Sequence, residues 1–478
     1  MKESKYPAGL FFLVFTEFWE RFGYYLMIGI FTLYMISDPS KGGLGWDNAE
    51  AADVFGTFIA LAYLTPFMGG LLADLKLGYR FSITLGGILM GIGYCMLAIP
   101  EKWSFYTALA VMVVGNGFFK PNISTLLGNL FNDPRYRHKK DTGYNIFYMG
   151  INLGAFICNF IAAIMRNKIG WDAAFITAGC GMFLGVITFW LGMKHYKHVD
   201  VRKEPSPEDK PFLMQFAKVL GVGLLFSIIG WLIPENIMGS DSTDAFFMFC
   251  IPVIYFFSSI YLKANTEEKK PLGTMFTIFI IVILFWAIFK QNGTALTTYA
   301  EFYTDRESPP AITALTDKLY FSEKLVAENK EVNQVDEQFR KMKGPDGKNL
   351  KCNDYPAYFK NLEASKIPAQ GESVSLVNTE IFQSVNPFFV VVLTPLIIAF
   401  FAFMRKRNKE PTTASKIAYG LLISALSTLV MVLAVYMSDN GMQKASAWWL
   451  VASYGVVTVG ELLLSPMGLS MVSKLSPV

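Results

Sequence analysis

Glu17, Glu20, Arg21, Tyr24 and Tyr25 stand at i, i+3, i+4, i+7 and i+8 inside an otherwise apolar run from Leu10 to Met35. At roughly 100° per residue, that spacing places two carboxylates, a guanidinium and two phenols on one face of a helix. Phe15, Trp19, Phe22 and Leu26 cover the opposite face. The run exceeds the roughly 20 apolar residues that cross a bilayer, where each charge costs about 2.5–3.5 kcal/mol on insertion scales. Charge held there marks a pathway for a substrate or an ion. The available chemistry is reversible proton exchange, because a carboxylate beside a cation changes its proton affinity as that partner moves.

Other apolar segments carry further polar groups. Lys120 sits mid-segment in Gly115-Asn-Gly-Phe-Phe-Lys120-Pro-Asn122, where Pro121 is expected to open the backbone. Asn145, Tyr148, Asn152 and Asn159 share one narrow helical face; for Asn145 and Asn159, bonding between helices is as good a reading as ligand contact. Trp286, Lys290, Gly293, Thr294 and Thr297 form a single stripe. Asn386-Pro387 and Gly460-Glu461, the latter followed by Ser465-Pro466, bring kink candidates and the one mid-segment acid of the second half. Glu17, Glu20 and Glu461 thus balance Arg21, Lys120 and Lys290, which suits a zwitterion with separated termini better than a small anion. A salt bridge between Lys290 and Glu461 is a further expectation.

Elements long enough to hold these groups follow from composition. The 478 residues are 53% hydrophobic and only 17% charged, with mean hydropathy +0.36, where soluble chains carry about a quarter charged residues. This reads as an all-α polytopic membrane protein. Twelve spans are expected: 10–36, 52–73, 80–99, 104–130, 143–165, 173–193, 212–233, 245–263, 272–300, 380–404, 414–437 and 446–473. The loops assigned inside hold 22 Lys and Arg against five in the short outside loops (Lys41, Lys102, Arg166, Lys168 and Lys444), which places the N-terminus in the cytoplasm. The first span serves as insertion signal, and no cleavage site follows it. The net charge of +4 sorts by loop and implies no nucleic acid. The five cysteines and three histidines show no metal-ligand spacing or disulfide framework, and no nucleophile–base pair suggests an enzyme.

The spans group into a six-helix bundle (1–193), a linker with two extra helices (194–271), the first helix of a second bundle (272–301), an extracytoplasmic insertion (302–379) and the rest of that bundle (380–478). The insertion is expected to be a partly helical cap, because 312–343 has helical composition. At the end of the second span, Gly69-Gly70-Leu-Leu-Ala-Asp74 and Gly78-Tyr-Arg80 suggest close helix packing and an Asp74–Arg80 pair across the loop. The second bundle is two helices short of the first, so the last two helices are expected to be absent from this chain.

Taken together, Glu-x-x-Glu-Arg-Phe-x-Tyr-Tyr at 17–25, Phe-Lys-Pro-Asn at 119–122, Phe-Tyr-x-x-Ile-Asn-x-Gly at 147–154 and Gln-Ser-x-Asn-Pro at 383–387 resemble the proton-dependent oligopeptide transporter family of the major facilitator superfamily, bacterial type. The glycine-rich loop at 69–80 resembles the superfamily's signature. The resemblance implies two six-helix halves with two linker helices between them, and import of di- and tripeptides coupled to protons by alternating access. It implies no cofactor beyond the proton, a monomer, and a place in the bacterial plasma membrane. Arg21 and Lys120 are then expected to meet the peptide carboxylate, and Glu461 the amino terminus with Asn152 and Asn386. Tyr24, Tyr25 and Tyr63 are expected on the peptide backbone and Trp286 at a side-chain pocket. Glu17, Glu20, Arg21 and Lys120 form the expected proton-coupling network. Lys290 departs from the family pattern, in which an acid is usual. An anionic or conjugated metabolite as substrate, or a nutrient sensor using the insertion, are the alternatives.

Overall fold

The computed structural model describes residues 6–200, 209–345 and 348–475. Six long helices come first: α1 (Ala8–Ile36), α2 (Asn48–Leu72), α3 (Tyr79–Met96), α4 (Lys102–Leu130), α5 (Lys140–Lys168) and α6 (Trp171–Gly192). α1 packs on α5 and α6, α3 on α4 and α6, and α2 on α4. Close approach is permitted by glycine: a Cβ on Gly86 would collide with the backbone at Gly115, and one on Gly69 with that at Gly117. Leu13, Phe31, Phe119, Phe175 and Phe189 are among the fully buried side chains of this bundle.

A helical pair, α7 (Asp209–Trp231) and α8 (Asp241–Lys263), packs mainly on itself. Leu224, Ile228, Ile254 and Leu262 on its surface are exposed, as lipid-facing side chains are and as soluble surfaces rarely allow. The pair meets α2 where the Ser240 hydroxyl donates to Asp53 at 2.7 Å. The second bundle comprises α9 (Thr266–Phe289), a short α10 (Ala295–Phe302), α12 (Val385–Lys406), α13 (Thr413–Met437) and α14 (Trp448–Leu475). α13 and α14 form its main contact, and α5 meets α12 across the two halves.

Eight helices of the described residues are long and apolar enough to cross a membrane by length and composition. α1, α3 and α4 fall outside that set, and α14 counts only as a shorter apolar helix; the mid-helix charges of α1 and Lys120 of α4 lower their hydropathy. The helix boundaries otherwise follow the expected spans within a few residues, with one exception. The span expected at 272–300 is broken: a 3-10 turn at Lys290–Gly293 separates α9 from α10. Three features explain the break. Gln291-Asn292-Gly293 is weak helix former sequence. The Phe55 ring lies where a Cβ on Gly293 would sit. The carbonyls freed by the break find side-chain donors, Thr297 to Asn292 at 2.7 Å and Thr32 to Gly293 at 2.5 Å. Pro121, by contrast, sits within a continuous α4, and Pro387 lies in the first turn of α12, where proline is tolerated better than mid-helix. The side chains of Ser465 and Pro466 lie outside the described residues.

The expected Asp74–Arg80 pair is absent among the described residues, where Arg80 pairs with Asp200 instead. After α6 the chain makes two 3-10 turns (Met193–His195 and Lys197–Val199) and delivers Asp200 to the start of α3. There Tyr79 N donates to Asp200 Oδ1 at 2.8 Å and Arg80 Nε to Oδ2 at 2.6 Å. A carboxylate at a helix N-terminus answers both the unpaired amides and the helix dipole.

Among the described residues the segment between α10 and α12 is α-helical only over α11 (Pro310–Lys318), with 3-10 turns at Ala357–Phe359, Ala364–Lys366 and Thr379–Ser384; the cap is partly helical, but beyond α11 the stretch to 343 is strand and loop rather than helix. β2 (Ser322–Val326) pairs antiparallel with β5 (Ser373–Val377), and β3 (Lys330–Asn333) with β4 (Lys351–Asp354). β1 (Thr304–Asp305) runs parallel to β6 (Ala445–Ser446). Leu325, Val326 and Val332 favour strands over helix once paired, and Ala327, Tyr358, Phe359 and Leu376 close a small core. Lys444 lies against this layer, 4.1 Å from the Tyr358 ring centroid, and donates to Phe302 O at 2.8 Å. Burial, reinforced by the Arg306 guanidinium and opposed by Glu301 and Asp305, pulls its ammonium down to about 7. Between that value and the ordinary lysine range the unfolded chain binds a proton that the folded chain does not. Stability therefore rises with pH across this window. The Tm is expected to increase from pH 7 to pH 9, and Lys444→Gln to flatten that increase in a thermal melt of the solubilised protein.

Candidate functional site

The α1 stripe is buried. Glu17, Glu20 and Arg21 are 4%, 0% and 5% exposed. Arg21 grips Glu20 with two nitrogens, Nη2 donating to Oε1 at 2.8 Å and Nε to Oε2. Nε also lies 3.2 Å from Glu17 Oε1. Glu17 Oε2 has no hydrogen-bond partner among the described residues. The guanidinium lies 5.3 Å from the Tyr24 ring centroid, and Tyr24 and Tyr25 pack edge to face. Tyr25 is within electrostatic range of Arg21 on its own helix and of Lys290 and Glu461 in the second half, so charges of both halves converge here.

Across from the triad, Tyr63 on α2 is half exposed and flanked by two cations. Lys120 Nζ on α4 lies 4.4 Å from its ring centroid and Lys290 Nζ 5.2 Å. Lys290 is also 5.4 Å from the Trp286 ring. The break after α9 therefore sits at the site itself, with Lys290 as its first residue. Weak helix-forming sequence beside a mid-span lysine was the readable signal for it.

In the second bundle Asn386 Nδ2 donates to Glu461 Oε2 at 3.1 Å and to Thr458 Oγ1 at 2.8 Å. The expected Lys290–Glu461 salt bridge is not made: Glu461 is within electrostatic range of Lys290, but no ion pair joins them among the described residues. Asn152 is buried and donates to Tyr148 O, one turn back on α5. Asn145 and Tyr148 are exposed. Asn159 serves the junction between halves, donating to Ser384 Oγ at 3.2 Å, while Ser384 donates to Phe156 O at 2.8 Å.

That junction belongs to a larger closure at one end of the cavity, which the sequence reading did not find. Arg166 Nε on α5 lies 3.2 Å from Glu380 Oε1, and its Nη2 lies 3.7 Å from Glu323 Oε2 in the inserted segment. Arg306 pairs with Glu301 at 3.1 Å. Phe156 and Phe388 meet at 6.1 Å between ring centroids. The inserted segment spans this end. Lys341 Nζ donates to Ile36 O at 2.7 Å and Trp46 O at 3.0 Å, Asn333 to Asp38, Asn349 to Gly45 O, and Asn167 to Tyr320 O and Ser322 O. On the other half, Asn361 donates to Gly441 O. Arg166 entered the sequence reading only as a loop cation, because pairs so distant in the chain leave no local pattern.

The sequence model of the POT family matches residues 80–308 and 365–478, which leaves out most of the inserted segment. The chain is 31% identical to a protein of Bacillus subtilis named as the uncharacterized transporter YclF, over 99% of this chain and 82% of that one. It is 30% identical to a di-/tripeptide transporter of Lactococcus lactis, over 99% of this chain and 84% of that one. A crystal structure of a peptide transporter POT in complex with sulfate superposes with a TM-score of 0.73 at 30% identity, covering all of this chain and 84% of that one.

Proposed function

The chain belongs to the POT family, with the major facilitator type of fold, and from that premise we propose that it imports di- and tripeptides by proton-coupled alternating access. The observation that carries the coupling is the α1 triad: a buried Glu17 with one oxygen unpartnered, beside an arginine already gripped by Glu20. An unsolvated carboxylate oxygen without a donor is where a proton binds, and its release is coupled to motion of Arg21. In this reading Arg21 and Lys120 hold the peptide carboxylate, and Glu461 with Asn386 and Asn152 the amino terminus. Tyr24, Tyr25 and Tyr63 line the backbone, and Trp286 a side-chain pocket. The carrier works as a monomer in the bacterial plasma membrane with its N-terminus in the cytoplasm, as the loop charges favour. The junction at Arg166–Glu380 lies at the outer mouth, closed here.

One proton crossing about 100 mV supplies roughly 2.3 kcal/mol, enough for about fifty-fold accumulation at 1.4 kcal/mol per decade. Purified protein in liposomes with an alkaline interior is expected to accumulate labelled dialanine in competition with mixed tripeptides. Absence of gradient-driven uptake sinks the reading. Lys120→Ala and Glu20→Gln are expected to abolish accumulation against a gradient; retention of accumulation in both removes the coupling assignment.

A further inference from the structure

Arg21 has two carboxylates, while Lys120 and Lys290 have none. Neither ammonium makes an ion pair among the described residues; both lean on the Tyr63 ring, at 4.4 and 5.2 Å from its centroid. At most the sum of those distances separates the two nitrogens. They come from opposite halves, Lys120 from α4 and Lys290 from the break between α9 and α10. Tyr63 between them is half exposed, so the pair borders accessible space rather than packed core.

We propose that the preferred peptide ends in an acidic residue and that Lys290 selects its side chain. The proposal rests on the peptide-transport reading. With the coupling proton on Glu17, the triad is neutral, because Arg21 then answers Glu20 alone. The charges left for the ligand are Lys120, Lys290 and Glu461, a net of one positive. A zwitterionic dipeptide leaves that excess unanswered. A dipeptide ending in glutamate or aspartate carries one net negative charge and matches it group for group. Its amino terminus meets Glu461 and Asn386, its α-carboxylate Lys120 beside the Glu20-paired Arg21, and its side-chain carboxylate Lys290. The two carboxylates of a C-terminal acidic residue lie a few ångströms apart, a separation that two ammoniums flanking one aromatic ring can answer together. Cation–ring contact holds each ammonium without neutralising it, so both remain available. Because the two lysines belong to different halves, a ligand that engages both also draws the halves together.

The test compares Ala-Glu with its neutral isostere Ala-Gln as competitors of labelled dialanine binding to the full-length purified protein at pH 7. Ala-Glu is expected to compete at least tenfold better than Ala-Gln. In Lys290→Gln the ratio of the two is expected to fall to near one, whatever the absolute affinities, and in Lys290→Arg to stay well above one. Equal competition by the two peptides in the native protein overturns the proposal, as does an unchanged ratio in Lys290→Gln. Should dialanine itself fail to bind, the peptide reading falls and this proposal with it; a native protein that binds dialanine but ignores the acidic side chain refutes the selectivity alone.

Discussion

Arg21→Ala is expected to abolish uptake and to destabilise the folded protein by about 3–5 kcal/mol, the usual result of removing one partner from a buried ion pair. Glu20 is fully buried and Glu17 almost so. Without the guanidinium, two carboxylates four or fewer positions from it on the same helical face lose their direct partner, and the one nearby cation left, Lys120, acts on them only at longer range. The loss is read as a drop in Tm of the solubilised protein. Glu17→Gln and Glu20→Gln added to Arg21→Ala remove the stranded charges and are expected to recover most of that Tm while leaving uptake at zero. That pattern separates a lost binding and coupling group from a lost fold. If the triple variant remains as unstable as Arg21→Ala, the triad's contribution lies in packing rather than charge.

Under the proposed alternating access, locking the Asn159–Ser384 junction is expected to stop uptake completely. Asn159 and Ser384 come from different halves and their side chains already touch at 3.2 Å. With Cys158 replaced by alanine to avoid mispairing, cysteines at 159 and 384 are expected to cross-link under mild oxidation and to reduce uptake to background. Reductant should restore uptake in the same vesicles. Binding of labelled dialanine from the other side of the protein is expected to survive the cross-link, since the cavity does not need that mouth to part for access from the opposite end. Full uptake in the cross-linked protein excludes movement of the halves at this junction.

What the sequence allowed, and what it withheld, follows from the range of the forces involved. Helix periodicity and hydropathy are local, so eleven of the twelve expected spans match the described helices to within a few residues. The α1 stripe was readable because its spacing alone puts Glu17, Glu20 and Arg21 together. The break at Lys290–Gly293 was masked by strong apolar flanks, although its own residues disfavour helix. The strands of the inserted segment gain their stability only once paired and packed on Tyr358 and Leu376, and composition alone read them as helix. Asp200 displaced Asp74 as the partner of Arg80 because a turn after α6 carries it over a hundred positions back along the chain. The Arg166–Glu380 pair was illegible for the same reason, and so was the exchange of an expected Lys290–Glu461 bridge for the Asn386–Glu461 bond. Candidate residues are visible in a sequence; which of them meet depends on how helices distant in the chain come together.

The inserted segment has a kinetic meaning. Among the described residues, six hydrogen bonds attach it to the first bundle through Lys341, Asn333, Asn349 and Asn167, each contributing about 0.5–1.5 kcal/mol net. Fasteners of that size come undone one after another, like a zip, so parting divides into steps that thermal motion can climb in turn. Together they amount to about 3–9 kcal/mol, more than the roughly 2.3 kcal/mol that one proton crossing about 100 mV would deliver. A seam of many weak stitches is therefore tight enough to hold at rest, and slack enough to part stitch by stitch under thermal motion.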